Sequence, residues 1–141
     1  MNIGYNYELR KAYVDLIGTL TYNSQQLKAY DSFATDDAAL PYVLIDSITS
    51  SDSRNKCDSV EDAAVTVIIE SSYNQGGRKT VDEIASLIMT IKGSLRNQVA
   101  TITTAFALMD VYKITDNTIS VQSGTAKNYR RVITFGHILS Q

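Results

Sequence analysis

The stretch Val67–Ile88, "VIIESSYNQGGRKTVDEIASLI", decides how the rest of the chain is read. A β-branched run leads into a double glycine, then Arg-Lys-Thr, then a segment with apolar residues at helical spacing. Strand, glycine-rich loop and helix in that order is the setting of a nucleotide-binding P-loop, which requires G-x-x-x-x-G-K-[ST] across the loop. Here Arg78 follows Gly77, and Ser72 stands where the first glycine belongs. Without that pattern the backbone N–H groups cannot wrap a phosphate, so the P-loop reading is rejected. The stretch instead predicts a plain strand-to-helix turn, with Thr80 as N-cap and Glu83 reaching back to close a capping box. Asp82 and Glu83 would also complement the positive end of the helix.

Working outward, the spacing predicts a helix over 80–96, with Val81, Ile84, Ala85, Ile88, Ile91 and Leu95 in one stripe. Upstream, "AAVTVIIESS" (63–72) alternates as a strand, with Val65, Val67 and Ile69 on one face and Thr66, Ile68 and Glu70 on the other. "PYVLIDSIT" (41–49) is a second strand, its proline at the first position, where a missing N–H does least harm. Val43, Ile45 and Ser47 would share one face, and Tyr42, Leu44, Asp46 and Ile48 the other. "YELRKAYVDLIGTL" (7–20) places Leu9, Tyr13, Leu16, Ile17 and Leu20 on one helical face. Residues 21–28 read as a polar loop and "KAYDSFA" (28–34) as a short strand. Downstream, after a polar link, "AFALMDVYKITD" (105–116) and "KNYRRVITFGHIL" (127–139) read as two long strands. Residues 117–126 would join them as a hairpin connection with room for a short strand of its own. The order α-β-β-β-α-β-β predicts an α+β fold: a largely antiparallel sheet of about five strands with two helices on one face.

The 141 residues are 44% hydrophobic and 20% charged, which suits one domain over 1–141 with a sizeable core. The net charge of −2 supplies no basic field for nucleic acid. That charge is split: 1–97 carry −4, whereas 98–141 carry +2 through Lys113, Lys127, Arg130 and Arg131 against Asp110 and Asp116. Cys57 is the only cysteine and His137 the only histidine, so intrachain disulfides and thiolate metal clusters are excluded. The start, Met1-Asn2-Ile3-Gly4-Tyr5, lacks the basic and apolar regions of an export signal, which predicts a chain made and used without export. Nine tyrosines and no tryptophan favour half-buried and interface positions.

Groups that could carry chemistry have plainer readings. The carboxylate pairs Asp36-Asp37 and Glu61-Asp62 come with no glycine turn or further ligands, and read as solvated charge. His137 has no marked nucleophile to serve as general base and reads as a half-buried strand histidine. Cys57 beside Lys56 reads as an incidental loop thiol. No cofactor or metal is expected, and no enzymatic activity. Arg130 and Arg131 alternate across a strand, so with Tyr129 they would meet different neighbours, one of them another subunit. The polar segment 50–62 is either a long excursion or strand that runs on into it. Asp52, Arg54, Lys56, Asp58, Glu61 and Asp62 give it mixed charge, and it is expected to be mobile in a lone subunit and to order against a neighbour.

Taken in order, the helix "LRKAYVDLIGTL", the strand opening Pro41-Tyr42-Val43, the strand ending Ser71-Ser72-Tyr73 before an amphipathic helix, and the closing strand Arg130–Phe135 resemble the tail-completion, or tail-terminator, family of tailed bacteriophages. The likeness spans nearly the whole chain. The sequence departs from the family's pattern in lacking further prolines before Pro41, and in the short stretch before the first helix, where a docking arm would be missing. The resemblance implies a non-enzymatic virion protein of the neck, assembled in the host cytoplasm. It implies a homo-oligomeric ring, a hexamer or a dodecamer, that caps the tail tube and joins it to the head connector. Genomic DNA would pass through the lumen without specific binding, and no membrane is involved. The alternatives are another phage connector or adaptor ring, and a small bacterial α/β binding module.

Overall fold

The computed structural model describes residues 6–31, 33–34, 38–52, 60–74, 76–124 and 126–140. Helix α1 covers Asn6–Ile17 and buries Leu9, Ala12, Tyr13 and Ile17, the face expected from their spacing. It stops before Gly18, three residues earlier than the spacing suggested, and the Thr19 hydroxyl donates to the Leu16 carbonyl at 2.6 Å. The supposed loop after it holds a miniature hairpin, β1 (Thr21–Tyr22) and β2 (Gln25–Gln26). Its two turn residues, Asn23 and Ser24, both take positive φ, 50° and 64°, as a type I′ turn requires.

Strand β3 (Ala29–Asp31) is shorter than expected and pairs in parallel with β4 (Tyr42–Asp52). Every other neighbour in the main sheet, ordered β3-β4-β5-β7-β6, is antiparallel. β5 covers Val60–Ser72, so β4 and β5 run on into the polar segment from both sides, to Asp52 and from Val60. Residues 53–59 lie outside the described residues, as do Asp36, Asp37 and Cys57.

β4 begins as its pattern predicts: Val43 and Ile45 are fully buried, and Tyr42 and Leu44 are half-buried on the other face. A bulge between Ile45 and Ser47 then shifts the register, so Ile48 rather than Ser47 pairs with Val65. An extra residue in one strand resets the two-residue alternation beyond it, which strict periodicity cannot foresee.

The helix expected over 80–96 is two helices, α2 (Gly77–Thr90) and α3 (Lys92–Ile102), so among the described residues three helices rather than two cover the sheet. At Ile91 the ladder tightens: its N–H reaches the Ile88 carbonyl, three residues back, at 3.1 Å. Gly93, a poor helix former, follows at once. The apolar stripe survives the break, because Val81, Ile84, Ala85, Ile88, Ile91, Leu95 and Val99 are all buried.

Thr80 is not the N-cap. Gly76 (φ 89°) and Gly77 (φ 54°) turn the chain from β5 straight into α2, so the helix starts three residues before Thr80. Thr80 is then inside the first turn and 4% exposed. Gly76 holds the cap position and has no side chain to offer a cap.

The last two strands, β6 (Ala107–Ser123) and β7 (Ala126–Ser140), run straight through the stretch expected to connect them. They meet in a tight turn between Ser123 and Ala126, with Gly124 at φ 60°. The core lies between the helices and the inner sheet face: Leu9, Tyr13 and Ile17 from α1, Ile84 and Ile88 from α2, Leu95 and Val99 from α3 pack on Val43, Ile45, Val65, Val67, Ile69, Ile133, Phe135 and Leu139. Each large aliphatic side chain so enclosed contributes about 1.5–3 kcal/mol of burial free energy.

Candidate functional site

Pairing across β5 and β7 sorts the functional candidates onto two faces. Arg130, Val132 and Thr134 share the outer face with Glu70, Ile68 and Thr66, while Tyr129, Arg131, Ile133 and His137 share the helix-covered face with Ser71, Ile69, Val67 and Ala63. The alternation therefore separates Arg130 from Arg131, as expected.

On the outer face, Tyr42, Glu70 and Arg130 stand side by side across three strands. The Tyr42 hydroxyl donates to Glu70 Oε2 at 2.7 Å, and Arg130 Nε donates to Oε1 at 2.5 Å, with a second Arg130 nitrogen against the same oxygen. The Glu70 side chain is only 9% exposed. Burial, and then the Glu70 carboxylate, push the Tyr42 phenol up to about 12. On the inner face, Arg131 grips Asp116 of β6 with two nitrogens, at 2.8 and 2.7 Å, and reaches Asp82 of α2 at 2.9 Å. The hydrogen bond from Arg131 is the main reason the Asp116 carboxyl titrates below its ordinary range. Both arginines are thus held by carboxylates within the chain.

At the same end of the sheet, Tyr73 and Tyr129 bring their rings to 6.5 Å between centres. The Arg78 guanidinium lies 5.5 Å from the Tyr129 ring centre, and the Lys127 ammonium 5.7 Å from that of Tyr73. The chain is tied here by the Tyr73 N–H, which donates to the Lys127 carbonyl at 2.8 Å. Tyr129 packs on Gly77, where an added Cβ would come within 3.2 Å of its ring. Sequence reasoning missed Tyr73, Arg78 and Lys127 as a group, because only the double-glycine turn folds Arg78 back onto β7.

The remaining sequence candidates scatter. Asp52 and Glu61 are register partners at the far end of the sheet, followed by Ser51 with Asp62. Glu61 is buried at 6% exposure rather than solvated, and Asp62 is half-buried. Arg54, Lys56 and Asp58 lie outside the described residues.

His137 is fully enclosed, where a half-buried position was expected. Its Nδ1 lies 3.0 Å from the Ala63 carbonyl and its Nε2 2.5 Å from the Tyr13 hydroxyl. A carbonyl can only accept, so Nδ1 carries the hydrogen and Nε2 accepts from Tyr13. Burial lowers the imidazole to about 4, so it stays neutral in the core.

The surface adds a groove and a studded edge. The groove, of about 590 Å³, lies among Tyr22, Gln25, Leu27, Tyr30, Pro41 and Thr80, and Lys28 is the one charged residue among its described lining. Along the edge strand β6, Met109 and Ile114 occupy the two bulges, 56% and 50% exposed, and Ile119 follows at 47%. The broken alternation in "LMDVYKIT" is the sequence signal for those bulges.

The fold is similar to that of a chain in the virion of a native gene transfer agent (GTA) particle, with a TM-score of 0.63 and 14% sequence identity over 80% of this chain and 78% of that one. No family model matches the sequence, and no curated protein matches it.

Proposed function

We propose that the chain is a structural subunit of a virion, and that its role is that of a tail terminator: a closed ring at the head–tail interface that caps the tail tube and meets the head connector. The observation that carries this reading is the likeness of the fold to a chain of a gene transfer agent virion, extending over 80% of the residues. The ordered sequence words of the tail-completion family point the same way. A closed ring needs two unlike surfaces on one subunit that fit head to tail. The bulged, apolar-studded edge of β6 and the short parallel edge at β3 are two such unlike margins of a single sheet. In this role the protein acts by shape and assembly rather than by catalysis. His137 is sealed in the core, and Tyr42 and Arg130 on the outer face serve packing and recognition.

Native mass spectrometry of the purified protein tests the proposal. A closed ring, or a ring formed on adding tail-tube or connector protein, supports it. A protein that stays monomeric with every such partner overturns it. One observation favours a second reading, a small binding module: the groove beside the β1–β2 hairpin. A strict monomer whose melting temperature rises with a small amide or peptide ligand would support that reading instead.

A further inference from the structure

The tyrosine pair at the β5–α2 turn carries an inference that does not depend on ring formation. Tyr73 is 59% exposed, and the two cations that lean on the rings, Arg78 and Lys127, face solvent. Among the described residues neither makes an ion pair. The other cations around them are matched: Lys79 lies 3.8 Å from Glu83, Arg130 is held by Glu70, and Arg131 by Asp116 and Asp82. In a chain of net charge −2, two unmatched cations on neighbouring rings make a local positive patch. Contact with the rings also orders both long side chains in advance, which reduces the rotamer entropy lost when they bind.

The flanking positions decide what kind of partner fits. In the ladder, Tyr129 stands between Ser71 and Ser120, and Gln122 stands opposite Lys127, all polar. Such a rim offers no dry apolar centre of the kind a protein partner buries. It suits a wet contact with a chain of repeated negative charges.

We propose that Arg78 and Lys127, seated on Tyr129 and Tyr73, form a contact site for the phosphodiester backbone of a nucleic acid. The contact is made by side-chain charge and is blind to sequence. It differs from the rejected P-loop, since no backbone loop encloses a terminal phosphate. Two charges give a shallow, salt-labile hold rather than a grip.

The test is fluorescence anisotropy of a labelled DNA duplex titrated with the full chain at roughly 50 mM salt and then at rising salt. Wild-type protein is expected to bind, with an affinity that falls as salt rises. Arg78→Ala/Lys127→Ala should weaken binding at least tenfold and flatten the log–log salt slope by about 2, one unit for each phosphate no longer neutralised. Lys92→Ala/Arg96→Ala removes the same charge from α3, beside Met109–Val111 at the other end of β6, and should leave the slope unchanged. Arg78→Lys/Lys127→Arg keeps both charges and should retain most of the binding. Circular dichroism melts show whether each variant is folded. The proposal is overturned if wild type does not bind the duplex, if the double alanine variant keeps the same slope, or if both double alanine variants lose binding equally. It is also overturned if a poly-glutamate peptide displaces DNA at lower charge concentration than unlabelled duplex does, because the patch would then be built for an acidic protein segment.

Discussion

The ring of Tyr112 sits over Gly136, its partner across the β6–β7 ladder: a Cβ built on Gly136 would fall 2.4 Å from Tyr112 Cζ. An aromatic laid across a glycine on the next strand covers backbone that has no side chain of its own. Gly136 is buried as a result, while Tyr112 stays 39% exposed. Gly136→Ala has to push the ring aside, and overpacking of this size costs about 1–3 kcal/mol. Thermal denaturation should show a melting temperature several degrees lower. Tyr112→Ala uncovers the glycine but removes the obstacle, so the double variant should lose less than the two single changes added together. Additive losses would mean that the ring and the glycine do not interact.

The buried pair of Tyr13 and His137 makes a pH prediction whose sign follows from the lowered imidazole. In the unfolded chain His137 titrates near its ordinary 6.5, and in the folded chain at about 4. The folded state therefore binds fewer protons over that interval. The contribution of the neutral ring is fully present above about pH 6.5 and is lost as the pH falls toward 4. The gap corresponds to about 3 kcal/mol at most. Urea denaturation at several pH values should show stability dropping through this window. His137→Gln should show a shallower drop, whatever its stability at neutral pH. Tyr13→Phe leaves Nε2 without its donor and should cost about 1–3 kcal/mol at pH 7. If His137→Gln and wild type have the same pH profile, the imidazole is not the group responsible.

Glu70 is held on the outer sheet face by Arg130 and Tyr42, with its side chain 9% exposed. Removing the guanidinium leaves a mostly buried carboxylate with one neutral hydrogen bond, so Arg130→Leu should destabilise by about 3 kcal/mol. Tyr42→Phe removes only the weaker, uncharged donor and should cost about 1 kcal/mol. In Glu70→Gln/Arg130→Leu no charge is stranded, and much of the loss should return. A double variant no more stable than Arg130→Leu alone would mean that a stranded Glu70 charge is not what destabilises the single variant.

Much of the fold was legible because most elements obey one clean period. Val65, Val67 and Ile69 alternate, Ile84, Ile88 and Leu95 fall on one helical stripe, and both sets are buried as their spacing says. Several misses share one physical cause: one or two residues that reset the period. The bulge after Ile45 shifts the rest of β4, Ile91 with Gly93 divides one stripe between α2 and α3, and Asn23-Ser24 turns a polar stretch into a hairpin. The alternation of Arg130 and Arg131 was readable from the strand itself, yet their partners were not. Asp116 and Glu70 come from other strands and Asp82 from α2, so only tertiary pairing reveals them. The Arg78 and Lys127 positions were hidden for the same reason, since they are 49 residues apart in sequence.

The start of α2 is set by Gly76 and Gly77 rather than by the N-cap expected at Thr80. Gly76 holds φ 89°, a conformation that L side chains rarely adopt, and a Cβ there would lie 2.0 Å from Thr80 Oγ1. Two separate penalties therefore attach to Gly76→Ala: backbone strain of about 1–2 kcal/mol, and a collision with a buried hydroxyl. Thr80→Ala removes the collision but not the strain. If Thr80 capped the helix, its loss would be independent of what occupies position 76. If it packs inside the turn, the two substitutions must couple: Gly76→Ala should cost less in a Thr80→Ala background than in wild type, by about 1 kcal/mol or more. Four urea denaturation curves, for wild type, both single variants and the double, measure that difference. The backbone strain should persist in both backgrounds, so the double variant is not expected to return to wild-type stability. Equal costs in the two backgrounds would show that the Thr80 hydroxyl is not what closes over Gly76.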